Sequence, residues 1–269
     1  MLYVIKKDHS KELFSEEKVI TSIKRAKIPE SLQYEVLYHV KSKIYDGISS
    51  DEIYHHILEF LGQSSHPFSK SRYSLKESIN DLGPTGYPFE DFISKLLQAQ
   101  GYQTTVRQIL PGKCITHEID VLANKNNKQI MIEAKFHNRP GVRSEVHVAL
   151  YTNARFLDIK DKNHIDEAWL ITNTKTTRDA NTYALCAGMK VISWNYPEGE
   201  GLRELIEKSH LHPITMLNSL SQAHKINLLN NHIILCRDIE VNPQLLNTLP
   251  LSMQERERVL AEVHVIDSV

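Results

Sequence analysis

HEIDVLANKNNKQIMIEAKF, residues 117–136, alternates apolar and polar side chains on both sides of a polar run. Ile119 and Val121 alternate with Glu118 and Asp120. Ile130, Ile132 and Ala134 alternate with Met131, Glu133 and Lys135. A period of two is that of a β-strand, and NKNNK between the runs supplies turn residues, so the stretch reads as a hairpin. A two-stranded hairpin is not stable alone and needs further strands or a helix to cover its apolar face. The neighbouring sequence offers both. PFEDFISKLLQAQG places Phe89, Phe92, Ile93, Leu96 and Leu97 on one helical stripe, with Pro88 near its start and Gly101 past its end. Strands are expected near QTTVRQIL and DEAWLITN, helices from about 143 to 158 and over RDANTYALCAG, then strand MKVISW and helix GLRELIEKS. A meander followed by strand, helix, strand, helix predicts a mixed α/β sheet with helices on both faces.

Gly and Pro in LGPTGYP separate this region from an N-terminal one. There, short strands YVIKK and ELF precede SEEKVITSIKRAKI, with Ser15 as an N-cap. Further helices are expected over 30–44, 50–61 and 71–82, and the serines of DGISS can cap the second of these. From His210 onward every segment reads as helical, and Ser252 with Glu255 forms a capping box. The fold class expected is α/β multidomain: a mostly helical part over 1–82, a central mixed sheet flanked by helices over 84–208, and a small all-helical module over 210–269.

Asp120 lies on one strand of the hairpin. Glu133 and Lys135 share one side of the next, since residues two apart in a strand point the same way. A solvated face would carry such charges, and so would a metal site. Two carboxylates and the Ala134 carbonyl make an all-oxygen donor set suited to Mg²⁺ or Mn²⁺. A lysine beside them can orient a water or stabilise a phosphate transition state, which points to phosphodiester hydrolysis. On these residues the stretch resembles the PD-(D/E)XK nucleases. With GYPFE at 86–90, GYQTTV at 101–106 and WLITNTKTTRDANTYALCAGMKVISW, it resembles their Mrr-type restriction endonuclease branch over about 84–208. The resemblance implies Asp120 and Glu133 as metal ligands, Lys135 as the catalytic lysine and Glu90 as an accessory acid. Many relatives in that branch carry Gln where this chain has Glu133. Arg139 and Arg143, just past the strand, are candidate phosphate contacts. Tyr151 and Arg155 stand one helical turn apart, with core or ion-pair roles as open as a role at the site.

The N-terminal residues Val4, Lys6, Lys7, Asp8, Glu12, Phe14, Ser15 and Lys18, with YDGISSDEIYHHILEFL, resemble the ATP-cone, a regulatory domain of ribonucleotide reductases. The resemblance implies ATP or dATP as an allosteric ligand. Lys6, Lys7 and Lys18 would meet phosphates, and Glu12 and Ser50 would meet base or ribose, beside Val4 and Ser15. His9 stands where the family has a turn glycine, a strained choice if that turn needs positive φ.

The chain of 269 residues has a net charge of −1, which argues against binding polyanions through bulk charge. Between 84 and 165, however, eleven Lys/Arg face eight Asp/Glu. The three cysteines form no CxxC pair, and the first residues lack a signal-peptide core, so a reducing, cytoplasmic setting is expected, with no membrane partner. The reading as a whole is a metal-dependent endonuclease acting on DNA, regulated by an adenine nucleotide, with a homo-oligomer expected. A nucleotide-responsive nucleic-acid-binding regulator with a silent nuclease fold is the alternative, and an inert oligomeric interaction protein a third. The C-terminal segment has four Lys/Arg and six Asp/Glu, which favours packing or oligomerisation over a DNA clamp.

Overall fold

A computed structural model describes residues 2–6, 9–26, 28–64, 69–139 and 141–267. Its compact units are two: Met1–Glu77 with Met216–Asn218, and Ser78–Thr215 with Ser219–Val269.

In the first unit, β1 (Tyr3–Ile5) pairs antiparallel with β2 (Lys11–Leu13) and parallel with β3 (Ile48–Ser49). Helices α1 (Glu16–Arg25), α2 (Glu30–Lys43), α3 (Ser50–Gln63) and α4 (Ser69–Tyr73) complete it, and α5 (Leu75–Asn80) spans the boundary. Ser15 Oγ accepts the Lys18 N–H at 3.3 Å, the expected N-cap. Ser49 caps α3 in the same way. Val4, Ile23, Val36, Val40, Ile48, Ile57 and Leu61 form the core. His9 has φ 63°, so the turn does take the left-handed conformation that the family fills with glycine. Two details depart from the sequence expectation. Ile48–Ser49 is a strand, too short to carry an alternation. The helix expected over 71–82 is two, because Ser74 Oγ bonds back to the Ser71 carbonyl, and such side-chain bonds compete with helix propagation.

In the second unit, α6 (Tyr87–Ala99) leads into β4 (Gln103–Pro111), β5 (Thr116–Lys125) and β6 (Lys128–Lys135), an antiparallel meander. After β7 (Arg143–Ser144) and α7 (Val146–Asn163), strand β8 (Glu167–Thr172) returns parallel to β6. β9 (Lys175–Thr176) pairs with β7, and α8 (Arg178–Cys186) leads to β10 (Lys190–Ile192), parallel to β8. The sheet order is β10-β8-β6-β5-β4. α7 and α8 cover one face: Val148, Ala149 and Ala184 pack on Ala168, Leu170 and Val191. Ile159 packs on Ile119 and Met131. α6 buries Phe89, Phe92, Ile93, Leu96 and Leu97, and its Ser94 bonds Thr104 of β4 at 2.8 Å. The helix expected from 143 starts at Val146 because Arg143 and Ser144 join the small β7–β9 sheet instead. α9 (Leu202–Ser209), α10 (Gln222–Asn230), α11 (Cys236–Val241) and α12 (Met253–Asp267) follow, with 3-10 segments at Ile214–Met216 and Pro243–Thr248. The segment expected as helix over PITMLNSL is thus mostly irregular. Ser252 and Glu255 bond reciprocally at the start of α12. The whole is the mixed α/β fold expected, with a helical C-terminus. Among the described residues no helix is long and apolar enough to cross a membrane.

Candidate active site

Asp120 sits where two ladders are interrupted. β4 and β5 pair at Val106–Val121 and again at Gln108–Ile119, leaving Arg107 and Asp120 between the two pairs. β5 and β6 pair only as far as Val121–Ile132, one position short of Asp120 and Glu133. The alternation of β5 also breaks here. His117 bonds Asp158 of α7 and Ile119 packs on Ile159, so both face α7. Ala123 lies opposite Thr104, the partner of Ser94 on α6, so Ala123 and Val121 face α6. Directly opposite Asp120, Arg107 of β4 has a φ of 53°, a left-handed residue inside the strand. Asp120 therefore lies at a twist, within electrostatic reach of acids from both faces of the sheet.

The freed backbone is satisfied by the acid itself: Asp120 Oδ2 accepts the Ala134 N–H at 2.8 Å. In an extended residue the carbonyl points the same way as the N–H, so the Ala134 carbonyl is on the Asp120 side. Glu133 Oε2 is held by Arg155 Nη1, and Nη2 of the same guanidinium donates to the Glu118 carbonyl. Arg155 is buried and lies 5.3 Å from the Tyr151 ring centroid. Glu90, buried on the first turn of α6, accepts from Arg107 Nη1 at 3.1 Å. Arg107 Nη2 donates to Asp91 at 2.7 Å. Lys135 is half-buried, and its side chain makes no hydrogen bond or ion pair with the described residues. His137 is anchored: its N–H bonds Asn173 and its Nε2 lies 2.9 Å from Ser144 Oγ. Arg139 and Arg143 are exposed. Among the described residues no group of three or more His, Cys, Asp or Glu side chains is placed to hold a metal ion.

In the first unit Val4 is buried in the sheet. Glu12 bridges Lys6 and Lys18, each at 2.7 Å, and the two ammonium groups hold its carboxyl below the usual range. Ser15 is engaged as a helix cap, and Ser50 opens α3. Lys7 lies outside the described residues.

Comparison with known proteins agrees with this three-part order. Residues 2–76 match the ATP cone domain, 84–204 a restriction endonuclease family, and 212–266 the family described as AF1548-like, C-terminal. An uncharacterized protein of Archaeoglobus fulgidus is 37% identical over 171 residues, which are 63% of this chain and 97% of that protein. The crystal structure of a protein of unknown function, AF1548, aligns with a TM-score of 0.60 and 35% identity, over 69% of this chain and all of that one. The chain belongs to the AF1548-like family. It carries an ATP-cone in front of its restriction endonuclease domain.

The electrostatics of this AF1548-like site are those of too many acids in too little water. Burial, then the charge of Asp120, pushes Glu133 up to about 7, against the pull of Arg155 and Lys135. Burial and Asp120 likewise push Glu90 up to about 7, against Arg107. Asp120 is also raised by burial, less so for its bond from Ala134. Two residues that matter to this balance were weakly marked in the sequence. Arg107 showed only as a charge inside an otherwise uncharged strand, QTTVRQIL. Arg155 showed only as one turn from Tyr151 on a helix.

Proposed function

We propose that this AF1548-like protein is a metal-dependent endonuclease that hydrolyses phosphodiester bonds in DNA, under the control of ATP or dATP at its ATP-cone. The observation that carries the reading is Asp120. It sits at a double ladder break, beside the Glu133 strand and the Ala134 carbonyl, with an unengaged Lys135 on the same strand. The residues fit a divalent cation. Both carboxylates are half-buried, and the charge of Asp120 raises the proton affinity of Glu133; a metal ion relieves that repulsion as a proton would. Asp120, Glu133 and the Ala134 carbonyl would hold Mg²⁺ or Mn²⁺. When bound, the ion supplies Lewis-acid polarisation of the phosphate and a more acidic water.

The remaining work falls to the chain. Lys135 donates to the attacking water or to a non-bridging phosphate oxygen. Glu90 adds negative charge near Asp120. Arg139 and Arg143, exposed beyond β6, contact the backbone of the substrate. In the cone, Lys6, Lys7 and Lys18 receive the triphosphate, with Glu12 exchanging one lysine partner for the ligand, and Val4, Ser15 and Ser50 line the site. Residues 1–82 thus sense nucleotide, 84–208 perform the chemistry and 210–269 support it, in a cytoplasmic homo-oligomer. A second reading has one observation in its favour. Glu133 already has a cationic partner, Arg155, as a silent nucleic-acid-binding scaffold would. Supercoiled plasmid incubated with Mg²⁺ or Mn²⁺, with and without ATP and dATP, separates the two. Metal-dependent nicking that changes with nucleotide is expected, whereas DNA binding without nicking under every condition would favour the scaffold.

A further inference from the structure

The turn after α10 carries His232, whose Nδ1 lies 2.9 Å from Asp91 Oδ2. The other oxygen of Asp91 accepts from Arg107 Nη2 at 2.7 Å, and Arg107 Nη1 reaches Glu90 Oε2 at 3.1 Å. One turn further along α6, Lys95 Nζ meets both oxygens of Asp238 at 3.0 and 3.1 Å. Asp238 is itself fixed by the Ile234 and Leu235 N–H groups. A histidine–carboxylate hydrogen bond and an ion pair, four residues apart on α6, therefore tie that helix to the C-terminal segment. Between them and Asp120 stands the one left-handed residue in the middle of β4, Arg107. A non-glycine residue keeps such a backbone only where its surroundings over-determine it. Here they are Glu90, Asp91 and the Tyr87 ring, 5.5 Å from the guanidinium.

We propose that the C-terminal segment is a working part of the active site. Through His232 and Asp238 it fixes α6, and Asp91 passes that constraint to Arg107, which orients Glu90 towards Asp120. Asp91 is then a positioning residue, acting through the shared Arg107 on Glu90, its neighbour in the chain. The inference rests on the nuclease reading above. His232 is largely exposed and contributes a small share, as exposed ion pairs do, whereas Asp91 is mostly enclosed.

The test uses the full chain, Asp120→Ala as the reference for the site, and four variants: Asp91→Asn, His232→Ala, Glu90→Gln and the double variant Asp91→Asn/Glu90→Gln. Plasmid nicking gives kcat and KM, calorimetry gives Mn²⁺ affinity, and melting gives Tm. Asp91→Asn is isosteric and His232 is a surface residue, so both variants are expected to fold, which Tm checks. We expect Asp91→Asn to lower kcat by about tenfold and His232→Ala by about threefold, KM staying within about twofold. In the Glu90→Gln background, Asp91→Asn is expected to cost nothing further, since both act through one carboxylate. Wild-type kcat in Asp91→Asn overturns the inference, as do additive losses with Glu90→Gln or losses that merely track Tm. If the wild type nicks in an Asp120-dependent way and Asp91→Asn matches it, only this inference falls. If the wild type neither nicks nor binds Mn²⁺ through Asp120, the nuclease reading falls and takes the inference with it.

Discussion

Arg155 and Arg107 each hold one acid of the site, and they differ in how much depends on them. Arg155 is the more enclosed, and its Nε is buried without a hydrogen-bond partner among the described residues. Replacing it by Met keeps the volume but strands Glu133. Removal of one partner of a buried pair costs about 3 kcal/mol or more, which urea denaturation of Arg155→Met would read directly. The acids also set a pH dependence. Glu90 and Glu133 are raised to about 7 in the fold, above the usual value of 4.5. The folded state therefore binds protons more tightly than the unfolded chain. Their contribution to stability is greatest below about 4.5 and is lost as pH rises through 7. Metal-free protein is expected to lose stability between pH 5 and about 7.5 from these groups, and Glu90→Gln to flatten part of that slope. Urea midpoints across the range check it. Mn²⁺ affinity should rise over the same interval, since the ion competes with those protons.

At the scale of elements, the strands and the long helices were legible because their patterns are long enough to read. The alternation over 117–136 predicts β5 and β6, and the stripe from Phe89 to Leu97 predicts α6. Ser15, Ser252 and Gly101 mark element ends where the structure has them. The kink at Arg107 was not legible, since no pattern marks a left-handed arginine inside a strand. Two-residue strands such as β7 and β9 are likewise too short to leave a period. The Asp158 carboxylate was hidden for another reason: its partners are mainly backbone groups. It accepts the Cys114 and Ile115 N–H groups and meets His117, and these bonds hold its carboxyl well below the usual range. With Lys162 on the Gly112 carbonyl and Asn163 on the Pro111 carbonyl, this side chain clamps the β4–β5 hairpin to α7. In Asp158→Ala, exchange of the Cys114 and Ile115 amide hydrogens should quicken by about tenfold or more, while amides at the centre of β6 keep their protection. Unchanged exchange at the hairpin would show that the clamp is incidental.

Across the whole molecule, the chain joins an ATP-cone to a restriction endonuclease domain and an AF1548-like C-terminal segment. The order of these parts was readable in the sequence because each leaves its own ordered series of residues. The polar ties of the last segment to α6 were not readable, because contacts such as Lys95–Asp238 join residues 143 positions apart. Control by nucleotide requires that ATP or dATP bind one state of the whole chain more tightly than another. Nucleotide binding is therefore expected to shift both Tm and nicking rate, and Lys18→Ala to weaken both shifts together, as paired melting and nicking titrations would record. The claim beneath all of this is that Asp120 and Lys135 do chemistry on phosphodiesters. The most direct measurement is nicking of supercoiled plasmid with Mg²⁺ or Mn²⁺ by the wild type, Asp120→Ala and Lys135→Ala, prepared identically. Metal-dependent nicking by the wild type, reduced by at least about a hundredfold in each variant, is the predicted result. Equal nicking by all three proteins would contradict it.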